Sequence, residues 1–101
     1  MQNNIKTENN ELQILLSDRL TFEDHETFRE VIMAIKKTDA PSCYIDLANL
    51  KAIDSAGLGM LMIAFETSEQ AKKKFRLKRP SGQVKRLLEI SEFEKVMIIE
   101  N

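Results

Sequence analysis

The chain has 101 residues, of which 43% are hydrophobic and 31% are charged, and its formal net charge is -1. This length predicts one domain, residues 1–101, that buries about two-thirds of its unfolded surface in a single core. The balanced charge provides no overall attraction to nucleic acid or to a membrane surface. No apolar run approaches the ~20 residues needed to insert across a bilayer. Residues 1–4 lack the features of a signal peptide, so we expect a cytoplasmic protein.

The N-terminal residues predict a β-hairpin. Asn9 and Asn10, two residues that tolerate positive φ, separate two short segments with strand-like composition. Leu12, Ile14 and Leu16 alternate along the second segment, which places them on one buried face of a sheet.

A helix is predicted after the hairpin. Thr21–Asp24 matches a capping box, with a hydroxyl first and an acid three residues later. The apolar stripe that defines the buried face of this helix consists of Phe28, Val31, Ile32 and Ile35. His25 lies one turn before this stripe, and we interpret it as a partly buried structural histidine. A catalytic role is disfavoured because the chain has no second histidine to join it.

A buried strand is predicted next. Cys43–Leu47 is short and continuously apolar, which is typical of a strand inside a sheet, and a turn is expected at Ala48–Asn49. A single cysteine excludes an internal disulfide, so Cys43 is interpreted as a small buried hydrophobic residue. At Ser55 the apolar period changes to that of a helix, which is expected to run to about Lys74. Its predicted buried stripe is Leu58, Leu61, Met62 and Phe65.

The junction between that strand and that helix leaves two candidates for the N-cap, Asp54 and Ser55. The rest of the chain predicts a strand at Phe75–Lys78, a third helix capped by Ser81 and a last strand at Val96–Ile99. The inward residues of the third helix are Val84, Leu87 and Leu88. The order ββαβαβαβ predicts an α/β fold, with a mixed sheet of about five strands packed with three or more α-helices.

Two segments carry a resemblance to a known family. Tyr44–Leu47, Ile53 and the hexapeptide Asp54-Ser55-Ala56-Gly57-Leu58-Gly59 resemble the signature of the STAS domain, named for sulfate transporters and anti-sigma factor antagonists. Arg79–Leu88 resembles the family's stretch leading into its next helix. The similarity covers roughly residues 11–99, so a single-domain STAS-like fold is expected.

The resemblance to the anti-sigma factor antagonist branch implies a function. Ser55 occupies the position of the serine that a partner kinase phosphorylates in that branch. The resemblance also implies that residues 54–59 contact the partner, an anti-sigma factor that is also a serine protein kinase. It further implies that a serine phosphatase removes the phosphate. No enzymatic activity and no cofactor are implied. Two other functions remain open: a STAS subunit of a membrane transport complex, and a small-ligand or nucleotide-binding module.

Each motif also has a plain structural explanation. Ser55 could serve only as a helix cap, and the two glycines only as a tight helix start. A hydrolase nucleophile elbow is disfavoured because it needs a glycine where Ile53 stands. Lys72–Arg79, with Lys85 and Arg86, is a basic segment that we interpret as helix-end lysines and the outer face of a strand. Binding of nucleic acid, or of an acidic partner, is the alternative explanation for this segment.

Overall fold

The chain folds into a five-stranded mixed sheet and three α-helices in a computed structural model that describes all 101 residues. In chain order the elements are β1 (Gln2–Glu8), β2 (Glu11–Leu20), α1 (His25–Lys37), β3 (Ser42–Ile53), α2 (Ser55–Gln70), β4 (Lys74–Lys78), α3 (Gly82–Ile90) and β5 (Ile98–Glu100). The strands lie in the order β1-β2-β3-β4-β5, and only β1 is antiparallel to its neighbour. The predicted α/β fold is confirmed.

The N-terminal hairpin is also confirmed. Asn9 and Asn10 have φ values of 55° and 62°, the left-handed region that asparagine enters more readily than most residues. Leu12, Ile14 and Leu16 are buried, at 3% exposure or less. The two-residue turn therefore sets the register in which every second residue of β2 enters the core.

One face of the sheet forms the core and the other remains partly exposed. Strands β2, β3 and β4 bury side chains on the core face of the sheet. These are Leu12, Ile14, Leu16, Cys43, Ile45, Leu47, Phe75 and Leu77. β3 lies between β2 and β4, so the prediction that Cys43–Leu47 is an internal strand is confirmed. The outward residues Gln13, Tyr44 and Arg76 are only half-buried.

The predicted turn at Ala48–Asn49 is wrong, because β3 runs without a break to Ile53. The pairing of β2 with β3 instead shifts register twice, between Leu15 and Ser17 and between Asp18 and Arg19. Such irregularities let a strand bend without ending. The side chain of Asp46 supports this bend, since its Oδ1 accepts from the N–H of Ala48 at 3.0 Å.

His25 is exposed and not partly buried, so that prediction is wrong. The capping box of Thr21 and Asp24 starts a 3-10 turn at Phe22–Asp24, and α1 begins only at His25. His25 is thus the first residue of α1, at an exposed helix end, and the buried stripe begins only at Phe28. Phe28, Val31 and Ile35 are buried as predicted, and Ile32 is half-buried.

The buried face of α2 differs from the predicted stripe. Of the four predicted residues only Leu61 is buried, whereas Leu58, Met62 and Phe65 are half-buried. The residues that enter the core are Gly57, Met60, Leu61, Ala64, Thr67 and Ser68. Because apolar residues occur all around this helix, spacing alone does not identify its buried side. The helix ends at Gln70, not at Lys74, which is the first residue of β4.

The C-terminal elements follow the predicted order with shifted boundaries. Val84 and Leu88 of α3 are buried, and Leu87 is half-buried. Ser81 occupies the N-cap position, but its side chain makes no capping hydrogen bond. The last strand begins at Ile98, because the N–H groups of Val96 and Met97 both donate to the carbonyl of Phe93. None of the helices is long and apolar enough to cross a membrane.

The first turn of α2 lies directly against the ends of β2 and β3. A Cβ atom on Gly57 would lie 2.4 Å from the carbonyl oxygen of Leu20 and 2.5 Å from Cγ1 of Ile53. At Gly59 a Cβ would meet no atom within 4 Å. Packing therefore requires the absence of a side chain at Gly57 but leaves room for one at Gly59.

This contrast predicts opposite effects of two alanine substitutions. Gly57→Ala is expected to lower the free energy of unfolding by about 1–3 kcal/mol, because the backbone of Leu20 must move to accommodate a methyl group. Gly59→Ala is expected to raise it by up to about 1 kcal/mol, since alanine is the better helix former. Urea unfolding followed by circular dichroism measures both, and equal effects would contradict the assigned packing.

Cys43 is fully buried, with its Sγ 3.2 Å from Oγ of Ser68 on α2. Burial raises the pKa of the thiol, outweighing the hydrogen bond with Ser68 and the charges of Lys73 and Arg76, which act to lower it. The thiol therefore acts as a buried core group, as the sequence predicts.

Cys43 is expected to react slowly with Ellman's reagent at pH 8 in the folded protein and rapidly in denaturant. The raised pKa also has a consequence for stability. The contribution of the buried Cys43 thiol to the free energy of unfolding is fully present below the ordinary pKa of a thiol. It is lost as the pH rises toward the raised pKa, because the thiol ionises more readily in the unfolded chain than in the folded one. The alkaline loss of stability should be smaller in Cys43→Ala. Rapid labelling of the native protein would contradict the assigned burial.

Candidate functional site

The Asp54 carboxylate is the structural centre of the motif. Its Oδ1 accepts from the N–H of Gly57 at 2.8 Å, and its Oδ2 accepts from the N–H of Phe22 at 3.1 Å. Asp54 is therefore the N-cap of α2, with extended backbone angles, and it also joins this helix to the 3-10 turn before α1. Of the two candidates for the cap, the structure selects Asp54.

Ser55 is the first residue of α2, and it is exposed. Because Asp54 provides the cap, the Ser55 hydroxyl is not needed to start the helix. The N–H groups of the first helical turn point toward this end, which carries the positive end of the helix dipole. The structure thus presents an accessible hydroxyl at a position that favours negative charge.

The residues around Ser55 are small or apolar. Ala56 is half-buried, Gly59 is exposed with open space beside it, and Leu58 is half-buried. Gly57 packs against the ends of β2 and β3 and is buried, so it is not part of the accessible surface. The sequence motif is therefore brought together on one helical turn, although only part of it is accessible.

The outer face of α2 carries no charge over its first three turns. Residues 55–65 contain no ionisable side chain, and Ser55 carries the one polar side chain among them. Ile63 is 48% exposed on this surface, and Met62 is half-buried. An exposed helix normally has charged or polar residues on its solvent side. The first three turns of α2 therefore expose a surface that is uncharged and partly apolar.

Asp24 stabilises the turn that carries Phe22. Its Oδ2 accepts from the N–H of Thr21 at 2.8 Å, and its Oδ1 lies 2.9 Å from the N-terminal ammonium of Met1. Burial of Asp24 opposes its ionisation, but these hydrogen bonds and the ammonium charge hold the pKa below its ordinary value. The turn is thus anchored by Asp24 as well as by Asp54.

Two residues that contact the site were not predicted from the sequence. Phe22 has its N–H bound by Asp54, yet its side chain is 66% exposed. Gln83 at the start of α3 bonds to the backbone of Ile53, the residue before Asp54. Neither contact had a signal in the sequence, because each joins residues at least 30 positions apart.

The basic segment makes contacts within the chain. Lys73 Nζ donates to the carbonyls of Thr38 and Ala40 at 2.9 and 2.7 Å, and Lys78 Nζ lies 3.8 Å from the centroid of the Tyr44 ring. Arg76 of β4 pairs with Glu100 on the neighbouring β5 and with Glu11 on β2, on the other side of β3. Arg79 pairs with the buried Asp46, whose hydrogen bond and charge raise the pKa of the guanidinium. These contacts are those expected of helix-end and outer-face residues.

No group of three or more His, Cys, Asp or Glu side chains is placed to hold a metal ion.

Known structures share this fold. An anti-sigma factor antagonist from Mycobacterium paratuberculosis aligns with a TM-score of 0.86 at 15% identity, covering 98% of this chain and 84% of that one. Structures are known for the anti-sigma factor antagonist SpoIIAA in its unphosphorylated form and for the Bacillus cell fate determinant SpoIIAA in its phosphorylated form. The two forms align with TM-scores of 0.74 and 0.73 at 18% and 19% identity. They cover 99% of this chain, and the chain covers 88% and 92% of them.

Sequence comparison identifies the family. A STAS-domain containing protein of Pseudomonas aeruginosa (strain UCBPP-PA14) is 32% identical over 90 residues, which are 88% of this chain and 87% of that protein. The family model described as "Mlab, STAS domain" matches residues 3–100. The chain belongs to the STAS domain family.

Proposed function

We propose that this protein is a cytoplasmic regulator that is switched by phosphorylation, in the manner of an anti-sigma factor antagonist. In its unphosphorylated form it binds a serine-kinase-type anti-sigma factor, or a related partner-switching regulator, through residues 54–59. The partner kinase phosphorylates Ser55 and is released, and a serine phosphatase restores binding. The protein is then a substrate of enzymes, not an enzyme.

The observation that carries this proposal is the position of Ser55. It is exposed on the first turn of α2, while the neighbouring Asp54 performs the capping. A hydroxyl that has no structural task can be modified without loss of a native contact. The helix end also offers N–H groups and a positive dipole to an added phosphate.

A phosphate on Ser55 would oppose binding without unfolding the domain. It adds about -1.5 to -2 charges and three acceptor oxygens. A partner packed against Ala56, Leu58 and the exposed Gly59 would have to bury this charge beside small and apolar residues, which is costly. The two solved forms of SpoIIAA share this fold to a similar extent, which supports a fold that tolerates the modification.

The uncharged outer face of α2 supports a protein as the binding partner. The centre of a protein interface is depleted in charge and rich in apolar residues such as methionine. The surface next to Ser55 has this composition, with Leu58, Met62 and Ile63 at least partly accessible. Ser55 thus lies at one end of a surface that a partner could cover, where a charge would have a large effect.

The proposal predicts opposite behaviour of two Ser55 variants. The wild-type protein is used as bait in lysate of the cells that produce it, and the captured kinase-type regulator is purified. Ser55→Ala is expected to bind this partner with unchanged affinity in the presence of ATP, because it cannot be phosphorylated. Ser55→Asp is expected to bind at least about tenfold more weakly, because a desolvated charge costs more than ~1.4 kcal/mol. Isothermal titration calorimetry measures both.

Ser91→Asp provides the matched control, because Ser91 is an exposed serine at the far end of α3. It introduces the same charge away from the site and should bind as the wild type does. Equal affinities of Ser55→Ala and Ser55→Asp would refute the switch. Capture of a membrane transport ATPase in place of a kinase-type regulator would support the transport alternative.

A further inference from the structure

The last part of β3 has no neighbouring strand on one side. β4 pairs with β3 only from Ser42 to Asp46, although β3 continues to Ile53. Backbone N–H and C=O groups that lie beyond the end of β4 need other partners, because an unpaired buried group is costly. The end of β3 is the segment that leads directly to Asp54 and Ser55.

The side chain of Gln83 takes the place of the missing strand at Ile53. Its Nε2 donates to the carbonyl of Ile53 at 3.0 Å, and its Oε1 accepts from the N–H of Ile53 at 2.9 Å. One planar amide therefore pairs both backbone groups of a single residue, which requires a donor and an acceptor side by side. On the other edge, Ile53 lies opposite Leu20 of β2, and the N–H of Asp54 donates to the carbonyl of Leu20 at 3.3 Å.

Ile53 in turn supports the start of α2. Its Cγ1 occupies the space that a Cβ on Gly57 would need, so its side chain fits directly against the first helical turn. The next residue is Asp54, whose carboxylate binds the N–H of Gly57. A shift of Ile53 would therefore move both the cap and the surface on which α2 rests.

We propose that Gln83 is a positioning residue for the Ser55 site. Its amide fixes the backbone of Ile53 from α3, and this holds Asp54 in capping position and Ser55 exposed on the first turn of α2. The position of α3 and the geometry of the recognition site are thereby linked through one side chain. The importance of this link for recognition rests on the proposed function, but the link itself can be measured without a partner.

The test uses the full chain and compares Gln83→Met with Glu89→Met. Methionine is unbranched and similar in length to glutamine, but it cannot form the pair of hydrogen bonds. Gln83→Met should speed hydrogen exchange of the Ile53 and Gly57 amides by about tenfold, with the core strand amides of Ile45 and Leu77 unchanged. Glu89→Met, on an exposed position of the same helix, should leave all four amides as in the wild type.

A second variant separates the hydrogen bonds from simple packing. Gln83→Glu loses the donor at neutral pH and should shift the Ile53 and Gly57 amide resonances. Protonation of the introduced carboxyl restores a donor beside an acceptor, so these resonances should return toward their wild-type positions as the pH falls. A helix that merely packs in place would show no such return.

The proposal is overturned if Gln83→Met leaves the exchange of Ile53 and Gly57 unchanged, or if protection is lost evenly across the sheet. The switch at Ser55 is judged separately, by partner affinity. Local loosening in Gln83→Met combined with equal binding of Ser55→Ala and Ser55→Asp would support the link and reject the proposed function. If both hold, Gln83→Met should also weaken binding of the purified partner, whereas Glu89→Met should not.

Discussion

The two hydrogen bonds of the Asp54 carboxylate are the constraint on which the rest of the site depends. One oxygen caps α2 through the N–H of Gly57, and the other holds the N–H of Phe22 in the turn before α1. Because a single carboxylate satisfies both, the adjacent serine is free of any capping task. The chain thus separates the residue that builds the helix end from the residue that is open to modification.

The support beneath this carboxylate comes from three parts of the chain. β2 supplies the carbonyl of Leu20, against which Gly57 packs and to which the N–H of Asp54 donates. β3 supplies the side chain of Ile53, and α3 supplies the amide of Gln83. The exposed part of the site has few internal contacts, while the part below it is tightly packed. Under the proposed function, this division would let the exposed surface bind and release a partner while the sheet stays intact.

The sequence was informative where local chemistry decides the structure. Asn9 and Asn10 predict the hairpin because few other residues enter positive φ easily, and Leu12, Ile14 and Leu16 then predict the buried side of β2. The resemblance of residues 54–59 to the STAS signature correctly indicated the fold.

Prediction failed where one local sequence pattern is compatible with several structures. α2 is apolar on all sides, so spacing could not show that Gly57, Met60, Leu61 and Ala64 face the core. The bend near Ala48 looked like a turn, because the sequence does not show that the shifted pairing with β2 continues beyond it. His25 was misplaced because its spacing from Phe28 does not show that α1 begins at His25, where the helix end is exposed. The contacts of Phe22 and Gln83 depend on tertiary structure alone.

The most direct test of the account is phosphopeptide mapping by mass spectrometry of the protein isolated from the cells that produce it. A fraction of the molecules should carry one phosphate, located on Ser55, and treatment with a serine phosphatase should remove it. Phosphate on another serine or threonine, with Ser55 unmodified in every condition in which the partner is released, would contradict it.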